Sequence, residues 1–146
     1  MQISFRKGLT IIAASLLVVL IKSNVAEARL SDSCTRSYVL DHEGIMTASC
    51  QNDAGGVVNS SIALGDHVGR DSNGRLQWGQ PPNINYQDHC TQCRVLYDET
   101  RDSVVLQCRC PLAPVSNNVP PNRRYSVLNL EERIFVVDGE LVYIAP

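Results

Sequence analysis

Apolar residues alternate with polar ones at Ile62/Leu64, Leu128/Leu130 and Leu141/Tyr143, the period of a strand with one buried face. These positions belong to two stretches, Ser61 to Trp78 and Ser126 to Tyr143, that are versions of one another. With Leu64 set on Leu130, Ile62 falls on Leu128, Val68 on Ile134, Gly74 on Gly139, Leu76 on Leu141 and Trp78 on Tyr143. The first copy carries one extra residue in its turn. The upstream halves also match: Cys34-Thr35-Arg36-Ser37-Tyr38-Val39 reads like Cys90-Thr91-Gln92-Cys93-Arg94-Val95, and Met46-x-x-x-Cys50 like Leu106-x-x-x-Cys110. The chain is a tandem repeat of about fifty residues, a period that governs architecture before any single motif does.

Within the first unit, residues 34–40 and 45–52 are β-rich runs around Asp41-His42-Glu43-Gly44 and predict a hairpin. Ala54-Gly55-Gly56 is a turn, residues 57–64 return as a strand, and residues 65–70 suit a single helical turn. Asn73-Gly74 predicts a two-residue hairpin turn of the primed type, with positive φ at both centres. Residues 80–88, with Pro81-Pro82, predict an extended joint between the units. A stiff joint lets the repeats exchange strands within one chain, or between two chains as a domain-swapped dimer, so monomer and swapped dimer both stand. In the second unit the first hairpin is longer, with its turn near Asp98 to Asp102. The connection from Pro111 to Arg124 holds four prolines and is either a functional loop or a spacer. Asp138-Gly139 is the second, tighter copy of the hairpin turn. Sustained helix is hardly present, so the expected class is mostly β: two tandem pseudo-symmetric repeats of short antiparallel strands and hairpins, about five strands each.

The N-terminus changes the picture of location. Arg6 and Lys7 precede an apolar run from Leu9 to Ile21, and Ala26-Glu27-Ala28 offers small residues before a cut, the pattern of a secretory signal over residues 1–28. That apolar run is shorter than the roughly 20 residues a membrane span needs, and no second one follows. The expectation is a secreted, extracellular protein with no membrane span, residues 29–146 forming a single domain with repeat one at about 32–80 and repeat two at about 88–145. Those residues carry 10 Arg, no Lys and 14 Asp plus Glu, a net charge near −4, which argues against nucleic acid as a partner.

All six cysteines lie after the signal, where an exported chain meets an oxidising compartment. The repeat aligns Cys34 with Cys90 and Cys50 with Cys110, giving Cys34 to Cys50 and Cys90 to Cys110. Cys93 and Cys108 remain as an added bridge, and the two pairs nest as partners facing across an antiparallel hairpin should. One rival pairs Cys90 with Cys108 and Cys93 with Cys110, which demands a bulge or a shear; the other is a zinc site, since C-x-x-C followed by C-x-C supplies four thiolates. Disulfides are the expectation, with no metal and no cofactor.

The two Cys-bounded hairpins, each followed by S-I-x-L or its equivalent and a D/N-G-x-L-x-W/Y ending, resemble the cyanovirin-N homology family of sugar-binding proteins. The nearest match is Gly55-Gly56-Val57-Val58-Asn59-Ser60-Ser61-Ile62-Ala63-Leu64, and the resemblance covers residues 32 to 143. It implies an elongated, disulfide-braced β-protein in which strands cross between repeats, binding mannose-type oligosaccharides at one or both ends. At one end the family positions are Asp32 and Ser33, then Gln51, Asn52 and Asp53, then Val136, Val137 and Asp138. Most are short and polar, which suits hydroxyls that need both donors and acceptors. Val136 stands where family members place an Asn. At the other end they are Asp71, Asn73, Asn83 and His89, then Pro111, Leu112 and Ala113, where the family has basic or hydroxyl residues after the last cysteine.

Catalytic patterns do not emerge. Asp41-His42, Asp66-His67 and Asp88-His89 are sequence neighbours, which on a strand point to opposite faces, so they read as turn histidines. No nucleophile elbow, H-E-x-x-H or phosphate-binding glycine loop occurs. Glu131-Glu132 reads as the start of a helical turn rather than as a glycosidase pair. Trp78, matched by Tyr143, is expected in the core rather than as a sugar platform. Asn59-Ser60-Ser61 is an N-glycosylation acceptor. The resulting expectation is a non-enzymatic lectin whose partners are mannose-rich glycans or glycoproteins. The alternative is a protein-interaction module on the same scaffold that uses the Pro111 to Arg124 loop.

Overall fold

Both repeats fold by one recipe: a three-stranded antiparallel sheet, a 3-10 turn, then a two-stranded hairpin. The computed structural model describes residues 27–79, 85–112 and 122–146. The expected signal sequence up to residue 26, Pro81-Pro82, Asn83, Ala113 and the middle of the Pro111 to Arg124 loop lie outside these. In repeat one the sheet is β1 (Val39–Leu40), β2 (Ile45–Gln51) and β3 (Val57–Ala63), and the hairpin is β4 (Val68–Arg70) with β5 (Leu76–Trp78). In repeat two the sheet is β6 (Thr91–Asp98), β7 (Ser103–Pro111) and β8 (Arg123–Asn129), and the hairpin is β9 (Ile134–Val137) with β10 (Glu140–Tyr143). The 3-10 turns Leu64–Asp66 and Leu130–Glu132 occupy the same place in each copy, and each begins on a fully buried leucine.

The hairpins cross over. β10 packs on β3 of the other repeat, and β5 packs on β8. Two serines mark the crossing: Ser60 Oγ accepts the backbone N–H of Leu141 at 2.9 Å, and Ser126 Oγ accepts that of Leu76 at 2.8 Å. The core runs through both halves because alternate residues of the central strands face it: Met46, Ala48 and Cys50 from β2, and Val104, Leu106, Cys108 and Cys110 from β7. Each buried aliphatic side chain contributes about 1.5–3 kcal/mol relative to exposure. The three disulfides are Cys34–Cys50, Cys90–Cys110 and Cys93–Cys108, as the repeat alignment predicts. With every thiol of the C-x-x-C and C-x-C segments oxidised, the zinc reading falls.

Several local expectations are corrected. The Asn73-Gly74 turn is not a two-residue primed turn: only Gly74 has positive φ, at 71°. Asp71 Oδ1 instead accepts from Asn73 N at 2.9 Å and Arg75 N at 2.8 Å, closing a longer loop around a side chain. The primed turn is in the second copy, where Asp138 (φ 48°) and Gly139 (φ 83°) are both positive and Val137 pairs directly with Glu140. The predicted strand at 34–40 shrinks to Val39–Leu40, Cys34 making an isolated bridge to Cys50 beside its disulfide. Residues 65–70 divide between the 3-10 turn and β4. The end of the inter-repeat joint is a 3-10 turn at Tyr86–Asp88 rather than extended chain, started by Asn85 Oδ1 accepting from Gln87 N at 3.0 Å. Tyr86 is 1% exposed, so this turn is anchored in the core.

Sequence patterning also missed a helix. One turn, α1 (Leu30–Ser33), precedes β1 and packs on β2 and β9. It is too short for a periodic signal, and what holds it lies a hundred residues away. Glu131, its side chain 4% exposed, accepts from Ser31 N at 2.6 Å and from Arg29 Nη2 at 2.6 Å. Upstream, Ala28 and Val136 exchange two backbone hydrogen bonds at 3.0 and 2.9 Å.

Candidate functional site

At the end formed by β2, β3 and the β9–β10 turn, sequence-distant polar groups converge. Gln51 is the last residue of β2, and the chain turns over Asn52 to Gly56: Asn52 Oδ1 accepts from Gly56 N at 2.7 Å, and Asn52 N donates to Gly56 O at 2.8 Å. The turn faces the β9–β10 turn of the other repeat. Asp53 N donates to Asp138 Oδ1 at 3.0 Å, and a Cβ on Gly139 would lie 3.1 Å from Val58 and 3.3 Å from Asn52 Cβ. Gly139 thus allows the two turns to touch. Asp53 and Asp138 remain exposed and Asn52 is half-buried. One oxygen of Asp138 holds Asp53, so its other oxygen and the Asp53 carboxylate face outward as acceptors.

Asp32 and Ser33 reach this end by another route. They close α1, and Cys34 immediately after them is bonded to Cys50, the neighbour of Gln51. Val136 does not take part: it is 2% exposed, facing inward on β9. Its backbone, not its side chain, is used, in the bridge to Ala28.

The opposite end repeats the arrangement with different chemistry. The Asp71 to Arg75 turn abuts the strand after Cys110, and a Cβ on Gly74 would lie 2.6 Å from the carbonyl oxygen of Pro111. Asp71 Oδ1 is occupied within its own turn, while Asn73 is exposed. The positions matching Asn52 and Asp53 are Leu112, 36% exposed, and Ala113, outside the described residues. Asn83 lies outside them too. His89 is half-buried, and its carbonyl accepts from Arg123 Nη1 at 3.3 Å. Arg123 had no part in the sequence-based site and is the addition at this end. Its signal was available in the Arg123-Arg124 pair, but its partners come from β6, β7 and the end of the 3-10 turn before β6.

Of the histidines, His67 is not a bare turn residue. Its ring stacks on Tyr143 at 3.9 Å between centroids, with Trp78 beside Tyr143 at 5.8 Å. Trp78 is half-buried against the core, as expected of a repeated strand end. A cleft of about 310 Å³ lies between the Asp41 to Gly44 turn and the start of β6, lined by Leu40, Asp41, His42, Tyr86, Gln87 and Thr91 among others. It contains none of the residues that the family pattern points to. Burial, helped by nearby Asp41, pushes the Tyr86 phenol up to about 12, which leaves it neutral at physiological pH.

The fold finds its match in a known family. The CVNH domain model matches residues 30–142. The chain belongs to the CVNH family. Among solved structures, microvirin in complex with mannobiose is 26% identical, with 80% of this chain and 99% of that one covered and a TM-score of 0.60. The CVNH protein of T. borchii is also 26% identical, with the same coverages and a TM-score of 0.58. That of Gibberella zeae, 23% identical over 78% of this chain and 95% of its own, shares the fold with a TM-score of 0.60. No curated protein matches the chain.

Proposed function

We propose that this CVNH protein is a secreted lectin that binds mannose-type oligosaccharides without catalysis, chiefly at the end built from Asn52, Asp53 and Asp138. The observation that carries the reading is the likeness of the whole chain to microvirin, 26% identical over 99% of that protein and solved with mannobiose. Asp53, Asp138 and Gln51 offer exposed acceptors and an amide to sugar hydroxyls, while Asp32 and Ser33 border them through the Cys34–Cys50 bridge. Recognition would be static. The disulfide and the Asp53–Asp138 hydrogen bond hold the groups before a sugar arrives, so little ordering entropy is lost on binding.

The other end offers a poorer polar set, since Leu112 stands where Asn52 does and Asp71 is tied into its turn. We therefore infer one principal site, with avidity on multivalent glycans arising only where the second end also engages. Titration of the oxidised, isotopically labelled protein with mannobiose tests this. Amide shifts at Asp53 and Asp138 are expected, and an unperturbed spectrum at millimolar sugar would discard the proposal.

A further inference from the structure

The outer face of the β6–β7–β8 sheet carries a stripe of arginines that the mannose reading does not use. Register fixes its layout. Thr91, Arg109 and Tyr125 are cross-strand neighbours; Arg94 and Gln107 share the next row; Arg123 lies in the row beyond Tyr125, opposite Pro111. Successive rows on one face are two residues apart, about 7 Å. Each row therefore contributes one arginine, with the Arg123 guanidinium drawn back toward the Thr91 row, and no Asp or Glu stands in any of the three.

Neutral acceptors orient two of these cations. Arg94 Nε and Nη2 donate to Gln107 Oε1 at 2.9 and 2.6 Å. Arg123 Nη1 donates to Thr91 Oγ1 at 3.0 Å and lies 3.3 Å from His89 O and 3.5 Å from Arg109 O. Arg109 sits 6.0 Å from the Tyr125 ring centroid, and that tyrosine is 59% exposed. Among the described residues every ion pair lies elsewhere, at Arg29 with Asp102 and Glu131, His42 with Glu43, and Arg101 with Asp98. Three positive charges are thus held without a counter-charge on a chain of formal net charge −2.

We propose that this face binds an acidic polysaccharide with carboxylates on its sugar rings, a polyuronate. Guanidinium forks match carboxylates in geometry, and Gln107 and Thr91 suit ring hydroxyls. Tyr125 supplies an exposed flat surface for the apolar side of a sugar ring. Arginines rooted in rows about 7 Å apart fit a polymer of moderate charge density better than nucleic acid, with one charge per about 1.7 Å. The acidic remainder of the molecule would repel so dense a polyanion. The stripe begins beside His89 and Arg123, so an acidic chain would lie along the sheet from the second end. This surface is separate from the Asp53 and Asp138 end, and the two proposals stand or fall apart.

The probe is an oligogalacturonate titrated into the full oxidised protein at low salt, read by amide shifts. Shifts are expected at residues 91–94, 107–109 and 123–125, fading at about 0.5 M salt. R94Q and R109Q should each weaken binding about two- to fivefold, and the double variant about tenfold. Tyr125→Ala should weaken it by about threefold or more, whereas Asp53→Ala should leave it unchanged. No shift at low salt, shifts confined to the Asp53 end, or equal displacement by double-stranded DNA would each overturn the proposal.

Discussion

Ser60 lies on β3 and Leu141 on β10, eighty-one residues apart, and the hydrogen bond from the Leu141 N–H to Ser60 Oγ at 2.9 Å joins the second repeat's hairpin to the first repeat's sheet. Ser126 and Leu76 make the mirror contact at 2.8 Å. Both serines are buried, at 5% and 8% exposure, so each hydroxyl stands in for a missing strand partner. Ser60→Ala and Ser126→Ala should each cost about 1–3 kcal/mol in denaturant unfolding, because an amide stays buried without an acceptor. If the crossings are equivalent, the losses will be similar, and the double variant's loss will be close to their sum.

Two glycines at the tips of the crossed hairpins should differ in their tolerance of a side chain. Gly74 has φ 71° and a Cβ there would meet Pro111 O at 2.6 Å, a backbone atom that cannot step aside. Gly139 has φ 83° and its Cβ would meet the Val58 side chain at 3.1 Å. Gly139→Ala is expected to cost about 1–2 kcal/mol from backbone strain, and Gly74→Ala distinctly more. Thermal unfolding of both variants checks the order.

The N-terminal turn depends on one carboxylate. Glu131 gathers Ser31 N and the Arg29 guanidinium, and that hydrogen bond is the main cause that raises the arginine's pKa. Glu131→Ala should cost about 1–3 kcal/mol by leaving the Ser31 amide unsatisfied. Arg29→Ala should cost less, since that side chain is 46% exposed. Faster amide exchange confined to α1 and β9 would accompany both.

For mannose binding, Asp53→Ala is the informative change. Only the Asp53 backbone is used in the contact with Asp138, so the fold should keep its stability within about 0.5 kcal/mol. Affinity for mannobiose should fall about tenfold, as loss of a hydrogen bond to a charged group predicts. Isothermal titration separates this from unfolding, and unchanged affinity would remove Asp53 from the site.

Acid and alkali should act on different parts. Hydrogen bonds from Thr100, then Arg101, hold the Asp98 carboxyl below its ordinary range, so its contribution is present at neutral pH and lost as pH falls through that lowered value. Chemical shifts at Thr100 should report this, and Asp98→Asn should abolish the acid response. Tyr38 and Tyr86 run the other way. Burial pushes both up to about 12, so stability is intact below pH 10 and lost as pH rises from 10 through 12. Ultraviolet titration should find both phenols ionising together with alkaline unfolding.

Residue order alone determined the repeat, the strand class and the disulfide pairing. These follow from periods of two, from matched spacings and from Cys34/Cys50 and Cys90/Cys110 standing in register, all of which are local or self-referential patterns. Tertiary structure decided what no window of sequence contains. Asp71 chose the first hairpin's turn by capping it, α1 exists because Glu131 holds it, and Val136 turned inward because strand parity aimed it at the core. The arginine stripe likewise required register, since Arg94, Arg109 and Arg123 become neighbours only when β6, β7 and β8 are paired. A side chain's partner across the fold is set by packing and hydrogen-bond satisfaction over the whole chain, and those are properties of the assembled core.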